Sequence, residues 1–150
     1  MQNLFFARDV FKAFILSAAL ISTAGCVAVV GGVGLVGGYA VSPDTVEGVT
    51  KDDEETVWEK ALEIVAIMGQ IKEKYETAQD LASDPKKQKL AAQLGEGKIL
   101  IAQVSGARVV VSVVTANDVT KLRVKARKAF LPKIAVAQDV FTKIISHLTE

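Results

Sequence analysis

Residues 98–127 hold three apolar stretches joined by links of three or four residues, and that spacing leaves this part of the chain one way to fold. Lys98–Val104 and Arg108–Thr115 are dense in β-branched residues, and Ser105-Gly106-Ala107 between them has the composition of a hairpin turn. Ala116-Asn117-Asp118 turns the chain again. Thr120–Arg127 then alternates without a break: Lys121, Arg123, Lys125 and Arg127 fall on one side of a strand, and Leu122, Val124 and Ala126 on the other. A parallel pair needs a crossover of a dozen or more residues, so links this short allow only antiparallel neighbours. The apolar side of such a sheet must then be covered.

Helices on both sides of this stretch supply the cover. Thr45–Thr50 reads as a short strand, and Asp52, Asp53, Glu54 and Glu55 crowd the start of the next element. Carboxylates there cap free N–H groups and oppose the positive end of a helix dipole, which explains the cluster better than a metal site does. Val57, Trp58, Ala61, Leu62, Val65 and Met68 recur at steps of three and four and form one apolar face, with Gly69 as its stop. Residues 71–82 fit a strand or a helix. Ser83-Asp84-Pro85 predicts the start of a short helix over 85–94 that stops at Gly95. Pro132 is expected to open a last helix, striped by Ala137, Val140, Phe141, Ile144, Ile145 and Leu148. The order of elements predicts an α+β fold, a two-layer sandwich in which an antiparallel sheet packs against two main helices. One domain over residues 44–150, with a helical insertion near 78–96, suits the length.

The first quarter of the chain has another character. Arg8 and Lys12 precede an uncharged stretch, Ala13–Ala24, and the small residues Ser22-Thr23-Ala24-Gly25 lead into Cys26, the one cysteine of 150 residues. A basic start, an apolar middle and a small-residue cut site form the layout of a secretion signal. The ending resembles the lipobox of bacterial lipoproteins, in which the cysteine is acylated and becomes the new N-terminus; Thr23 stands where a large apolar residue is usual. A lone cysteine in an exported chain has no internal disulfide partner, and acylation explains it. The expected division is a signal peptide over 1–25, a Gly-rich tether over 26–43 and the domain beyond. The alternative is an uncleaved membrane helix, because residues 13–41 run 29 positions without a charged side chain. Gly31, Gly32, Gly34, Gly37 and Gly38 weaken that helix. Gly32-Val33-Gly34-Leu35-Val36-Gly37 imitates a dinucleotide loop, but the segment after it predicts no helix to receive a phosphate.

Charge is unevenly spread. Residues 44–84 carry twelve acids against four bases, and residues 85–143 twelve bases against three acids. The ladder Lys121, Arg123, Lys125 and Arg127, continued by Lys128 and Lys133, is the candidate binding feature: a cationic face for anionic lipid, peptidoglycan carboxylates or an acidic envelope protein. Its ordinary reading is a solvated strand face that discourages edge pairing. No aromatic residues interleave with these bases, which argues against nucleic acid as a partner. His147 has no second group beside it in sequence to make a catalytic or metal site, and no serine occupies a nucleophile elbow. The chain therefore predicts no enzyme, no metal and no cofactor.

Several segments together resemble a group of small bacterial envelope lipoproteins that carry a domain of unknown function. They are the cysteine with Gly37-Gly38-Tyr39 after it, the helix around Thr56-Val57-Trp58-Glu59-Lys60-Ala61, the run from Gly97-Lys98-Ile99 to Val124-Lys125-Ala126-Arg127-Lys128, and Pro132-Lys133-Ile134-Ala135-Val136-Ala137-Gln138. The resemblance implies lipid anchoring and a small α+β fold, and no catalytic residue. Residues 78–96 look like an addition to that pattern. The functional expectation is a lipid-anchored, non-enzymatic binding or scaffold module of the cell envelope; the alternative is a single-span structural protein without a ligand. Val27 after the cysteine, rather than Asp, implies the outer membrane facing the periplasm if the host is Gram-negative.

Overall fold

Both short links close as two-residue hairpin turns. Ser105 and Gly106 take φ of 51° and 75°, and Asn117 and Asp118 take 52° and 61°, so both central residues of each turn are left-handed. That geometry matches the right-handed twist of the strands it joins. Around these turns the computed structural model describes residues 28–30, 39–77 and 97–149, with positions 80, 85, 87, 88 and 92 between them. Strands β1 (Ala28–Val30), β2 (Tyr39–Ser42) and β3 (Thr45–Thr50) lead into helix α1 (Glu54–Met68). Strands β4 (Gly69–Tyr75), β5 (Lys98–Val104), β6 (Ala107–Ala116), β7 (Val119–Lys128) and β8 (Leu131–Pro132) precede helix α2 (Ile134–Leu148).

One antiparallel sheet takes every strand, in the order β1-β2-β3-β7-β6-β5-β4, with β8 pairing the end of β7. The predicted α+β sandwich is the observed fold. Val46, Val124, Val111 and Leu100 stand in one row across β3, β7, β6 and β5 and face the helices. Val57, Trp58, Ala61 and Val65 of α1 and Val140, Phe141 and Ile144 of α2 close over them in a single core. The Tyr39 ring of β2 reaches this core, 5.4 Å from that of Phe141. The expected packing of Trp58 with Phe141, Leu122 and Val124 is present, with Leu62 at its margin.

The start of α1 follows the carboxylate chemistry of its sequence. Asp53 accepts from the Thr56 amide at 2.9 Å and from the Thr56 hydroxyl at 2.6 Å. Gly69 ends the helix and begins β4 without a connecting residue. Its φ of −171° is open to any residue. What demands glycine is close approach, because a Cβ there would lie 2.2 Å from the Gln103 carbonyl oxygen.

Three expectations are corrected or sharpened, and one turn is added. The tether expected over 26–43 contributes two strands: Ala28–Val30 pairs Tyr39–Val41, and Tyr39–Ser42 pairs Thr45–Gly48, so the sheet begins well before residue 44. Pro132 does not open the last helix. It lies in β8 opposite Arg127, where a missing N–H is tolerated at a sheet edge, and α2 starts two residues later. Ile71–Tyr75 is strand, with a register shift between Ile71 and Glu73. A further two-residue turn, Ala129-Phe130, joins β7 to β8, as Pro43-Asp44 joins β2 to β3. Residues 1–25, Cys26, the glycine motif at 32–37 and most of the helix expected over 85–94 lie outside the described residues. Among the described residues no helix is long and apolar enough to cross a membrane.

Candidate functional site

The period of two in β7 puts the basic ladder on the face of the sheet away from the helices. Leu122, Val124 and Ala126 are fully buried in the core, while Lys121, Arg123 and Lys125 are half-exposed on the other side. Pairing with β3 then adds what the ladder alone does not reveal. Glu47 stands directly opposite Arg123, with Lys121 and Lys125 on either side, and Asp44 lies just beyond Thr45, opposite Lys125.

Two carboxylates thus bind four bases. The Arg123 Nε donates to Glu47 at 2.8 Å, and the Lys121 Nζ lies 3.3 Å from the same carboxylate. Asp44 is buried, pairs with Arg127 and takes Lys125 at 3.4 Å. Its side chain also accepts from the Thr45 hydroxyl at 2.8 Å, and its carbonyl accepts from the Ala126 amide at 2.9 Å. Burial pushes the Asp44 carboxyl up, but the hydrogen bonds from Thr45 and Arg127 and the charges of Lys125 and Arg127 outweigh it and hold the group below the ordinary carboxylate range. Glu47 is held low in the same way, against its own burial, chiefly by Arg123.

A carboxyl depressed in the native state contributes stability that is fully present above its unfolded value, near pH 4, and is lost as pH falls through the native value. Melting of the full chain should therefore weaken steeply below about pH 4. The double variant Asp44→Asn, Glu47→Gln should be less stable at neutral pH and much less sensitive to acid. An acid dependence unchanged in that variant would remove the pairs from the account.

Beyond Asp44 the balance of charge changes. Arg127 stands opposite Arg108 of β6, and Arg108 opposite Gln103 of β5, on the same face. Around them lies an open cleft of about 550 Å³, lined by Lys72, Lys87, Arg108, Arg127 and Lys128 with Glu73 as the one acid. Lys87 donates to Glu73 and to the Tyr75 hydroxyl, and its ammonium lies 5.0 Å from the centre of the Tyr75 ring. Those hydrogen bonds, from Lys87 first and Tyr75 second, hold Glu73 low, and they raise Lys87. Arg108, Lys128 and Lys133 make no ion pair among the described residues. The bases of this face that make no ion pair among the described residues thus lie at its end, past the ladder, with Glu73 near enough to Arg108 to be lowered by its charge.

Sequence reasoning found the ladder and missed Lys72, Lys87 and Arg108. Arg108 was within reach, since a two-residue turn at 105–106 and another at 117–118 fix the register that sets it beside Arg127. Lys87 carried no such signal. Beside these groups, His147 sits at the far end of α2 with its Nδ1 2.9 Å from the Lys143 carbonyl oxygen. Among the described residues no three His, Cys, Asp or Glu side chains are grouped to hold a metal ion. No protein-family model matches this chain, and no curated protein matches it.

Proposed function

We propose that this chain is a lipid-anchored, non-enzymatic binding module of the bacterial cell envelope, held to its membrane through an acylated Cys26 and engaging anionic groups on the basic end of its open sheet face. One observation carries the anchoring part. Strands β1 and β2 claim Ala28–Val30 and Tyr39–Val41 from the uncharged run, which leaves only residues 13–27 for an apolar helix ahead of the domain. That is fifteen residues where about twenty are needed to span a bilayer, but it suits the apolar core of a cleaved signal. The single-span alternative loses the second half of the segment on which it depended. The resemblance to small envelope lipoproteins points the same way.

The binding part rests on the cations that make no ion pair among the described residues. In the ladder the carboxylates of Asp44 and Glu47 are already in place, so an incoming anion must compete with them. At the cleft, Arg108 and Lys128 make no ion pair among the described residues, and Glu73 is the one acid beside them. A base near an anionic surface contributes about 1 kcal/mol. Changing Lys72, Arg108 and Lys128 together to Gln should therefore cost ~3 kcal/mol, roughly a hundredfold in affinity. The test places the full chain in neutral nanodiscs and measures its capture by anionic vesicles and by purified peptidoglycan, at low and high salt. Capture by an anionic target, weakened by salt and by the triple variant, is the expected result. Equal capture of wild type and variant would leave a structural protein without a ligand on this face.

A further inference from the structure

Among the described residues, the large apolar side chains that the fold leaves exposed are Ile67, Phe130 and Leu131, at 75%, 93% and 65% exposure. They belong to different elements, yet the sheet brings them to one end. Gly69, two residues after Ile67, pairs Val104 just before the turn at 105–106. Val104 pairs Ala107, and the next residue, Arg108, pairs Arg127 just before the turn that carries Phe130. Arg108, Lys128 and Lys133, which make no ion pair among the described residues, lie at this end as well. The opposite end carries Asp52, Asp53, Glu54 and Glu55 after Thr50, and Asp118 in the turn beyond Thr115 and Ala116. Among the described residues, acids thus outnumber bases at one end, and bases gather with protruding apolar groups at the other.

The turn that lifts Phe130 is held against preference. Ala129 and Phe130 take φ of 47° and 72°. The left-handed turns at 105–106 and 117–118 fill these positions with Ser-Gly and Asn-Asp, which tolerate them, whereas an alanine and an aromatic residue do not. Strain that exposes a phenyl ring to water benefits nothing within the fold, and such strain accumulates where a surface is used. Isolated exposed apolar residues are ordinary; a group of them ringed by lysine and arginine marks a contact surface. The charge of the ring selects an anionic partner. Strand β1 also runs away from this end, because Ala28 lies level with Val124, midway along β7, through Val41 and Val46, and Val30 lies level with Leu122, closer to the acidic end. Cys26 precedes Ala28 by two residues, a reach of about 7 Å.

We infer that this end of the sheet seats on an anionic phospholipid bilayer, with Phe130, Leu131 and Ile67 entering the headgroup boundary and Lys128, Lys133 and Arg108 against the lipid phosphates. The inference rests on the binding reading above, which it narrows from any anionic group to the bilayer surface, and it stands apart from the chemistry at Cys26. A domain so seated stands end-on upon the membrane that anchors it and directs its acidic end outward.

The test uses the full chain carrying Phe130→Trp, and separately Ile67→Trp, presented to anionic and to neutral vesicles whose acyl chains are brominated near the headgroup. The native Trp58 is 2% exposed in the core, so the wild-type chain supplies the baseline. Each introduced indole should shift to the blue and lose emission to the brominated lipid with anionic vesicles, and Lys128→Gln with Lys133→Gln should reduce both effects. Two variants on separate elements guard against one that fails to fold. Introduced indoles that keep the emission of water-exposed tryptophan and ignore the lipid bromines would overturn the inference, even where the chain sediments with the vesicles through its basic face. A blue shift that grows with protein concentration in the absence of lipid would assign this end to a second copy of the chain, and would overturn it too. Failure of the anchor would instead be read from the mass of the mature N-terminus.

Discussion

Replacing Trp58 by Ala is expected to unfold the domain or leave it close to unfolding at ambient temperature. The indole is 2% exposed and belongs to the one core that both helices share with the sheet. Removing a buried Trp side chain costs roughly 3–5 kcal/mol, through lost transfer energy and the cavity left behind. A small domain holds only about 5–15 kcal/mol in all. Outside the core, Lys98 places its ammonium 5.9 Å from the centre of the indole ring and pairs with Glu55, so the substitution also removes a support for the cation that links β5 to α1. Thermal melting followed by circular dichroism checks this on the full chain. A melting temperature equal to that of wild type would mean that α1 does not close over the sheet through this residue.

Much of this arrangement is legible in the sequence, and the reasons are local. The strands from 98 to 127 announce themselves because Ser105-Gly106 and Asn117-Asp118 are residue pairs that accept left-handed backbone, so turn chemistry and β-branched composition agree. The helix faces follow from a period near 3.6, and Asp53 caps where a capping residue is expected. The hairpin from β7 to β8 is illegible for the converse reason: Ala129-Phe130 carries no turn signal, and its strained conformation is imposed from outside the local sequence. Pro132 misleads because proline suits both the first turn of a helix and the edge of a sheet, and only the pairing with Arg127 distinguishes the two. The strands at 28–30 and 39–42 are hidden among glycines, whose composition is that of a linker; what orders them is β3, a partner supplied by tertiary structure.

For the candidate site the division is similar. Alternation within one strand reveals the ladder, but its neutralisation depends on Asp44 and Glu47, some eighty positions earlier in the chain. No property of residues 120–128 alone signals those acids. The same register places Arg108 and Lys128, which make no ion pair among the described residues, past the ladder, and so moves the centre of the proposed binding surface from the middle of the strand to the end of the sheet.

The second large effect concerns Cys26. With several acyl chains at ~0.8 kcal/mol per buried CH₂, the anchor far exceeds what the basic end could contribute, so Cys26→Ala is expected to abolish acylation and leave a precursor that still carries residues 1–25. The wild-type chain then decides between the anchored account and its alternative. Intact mass spectrometry of the protein taken from the membrane fraction should give a chain that begins at Cys26 and bears covalent fatty acyl mass, and the Cys26→Ala variant should give neither. A wild-type mass that begins at Met1, or a mature chain without acyl groups, would contradict the lipid anchor.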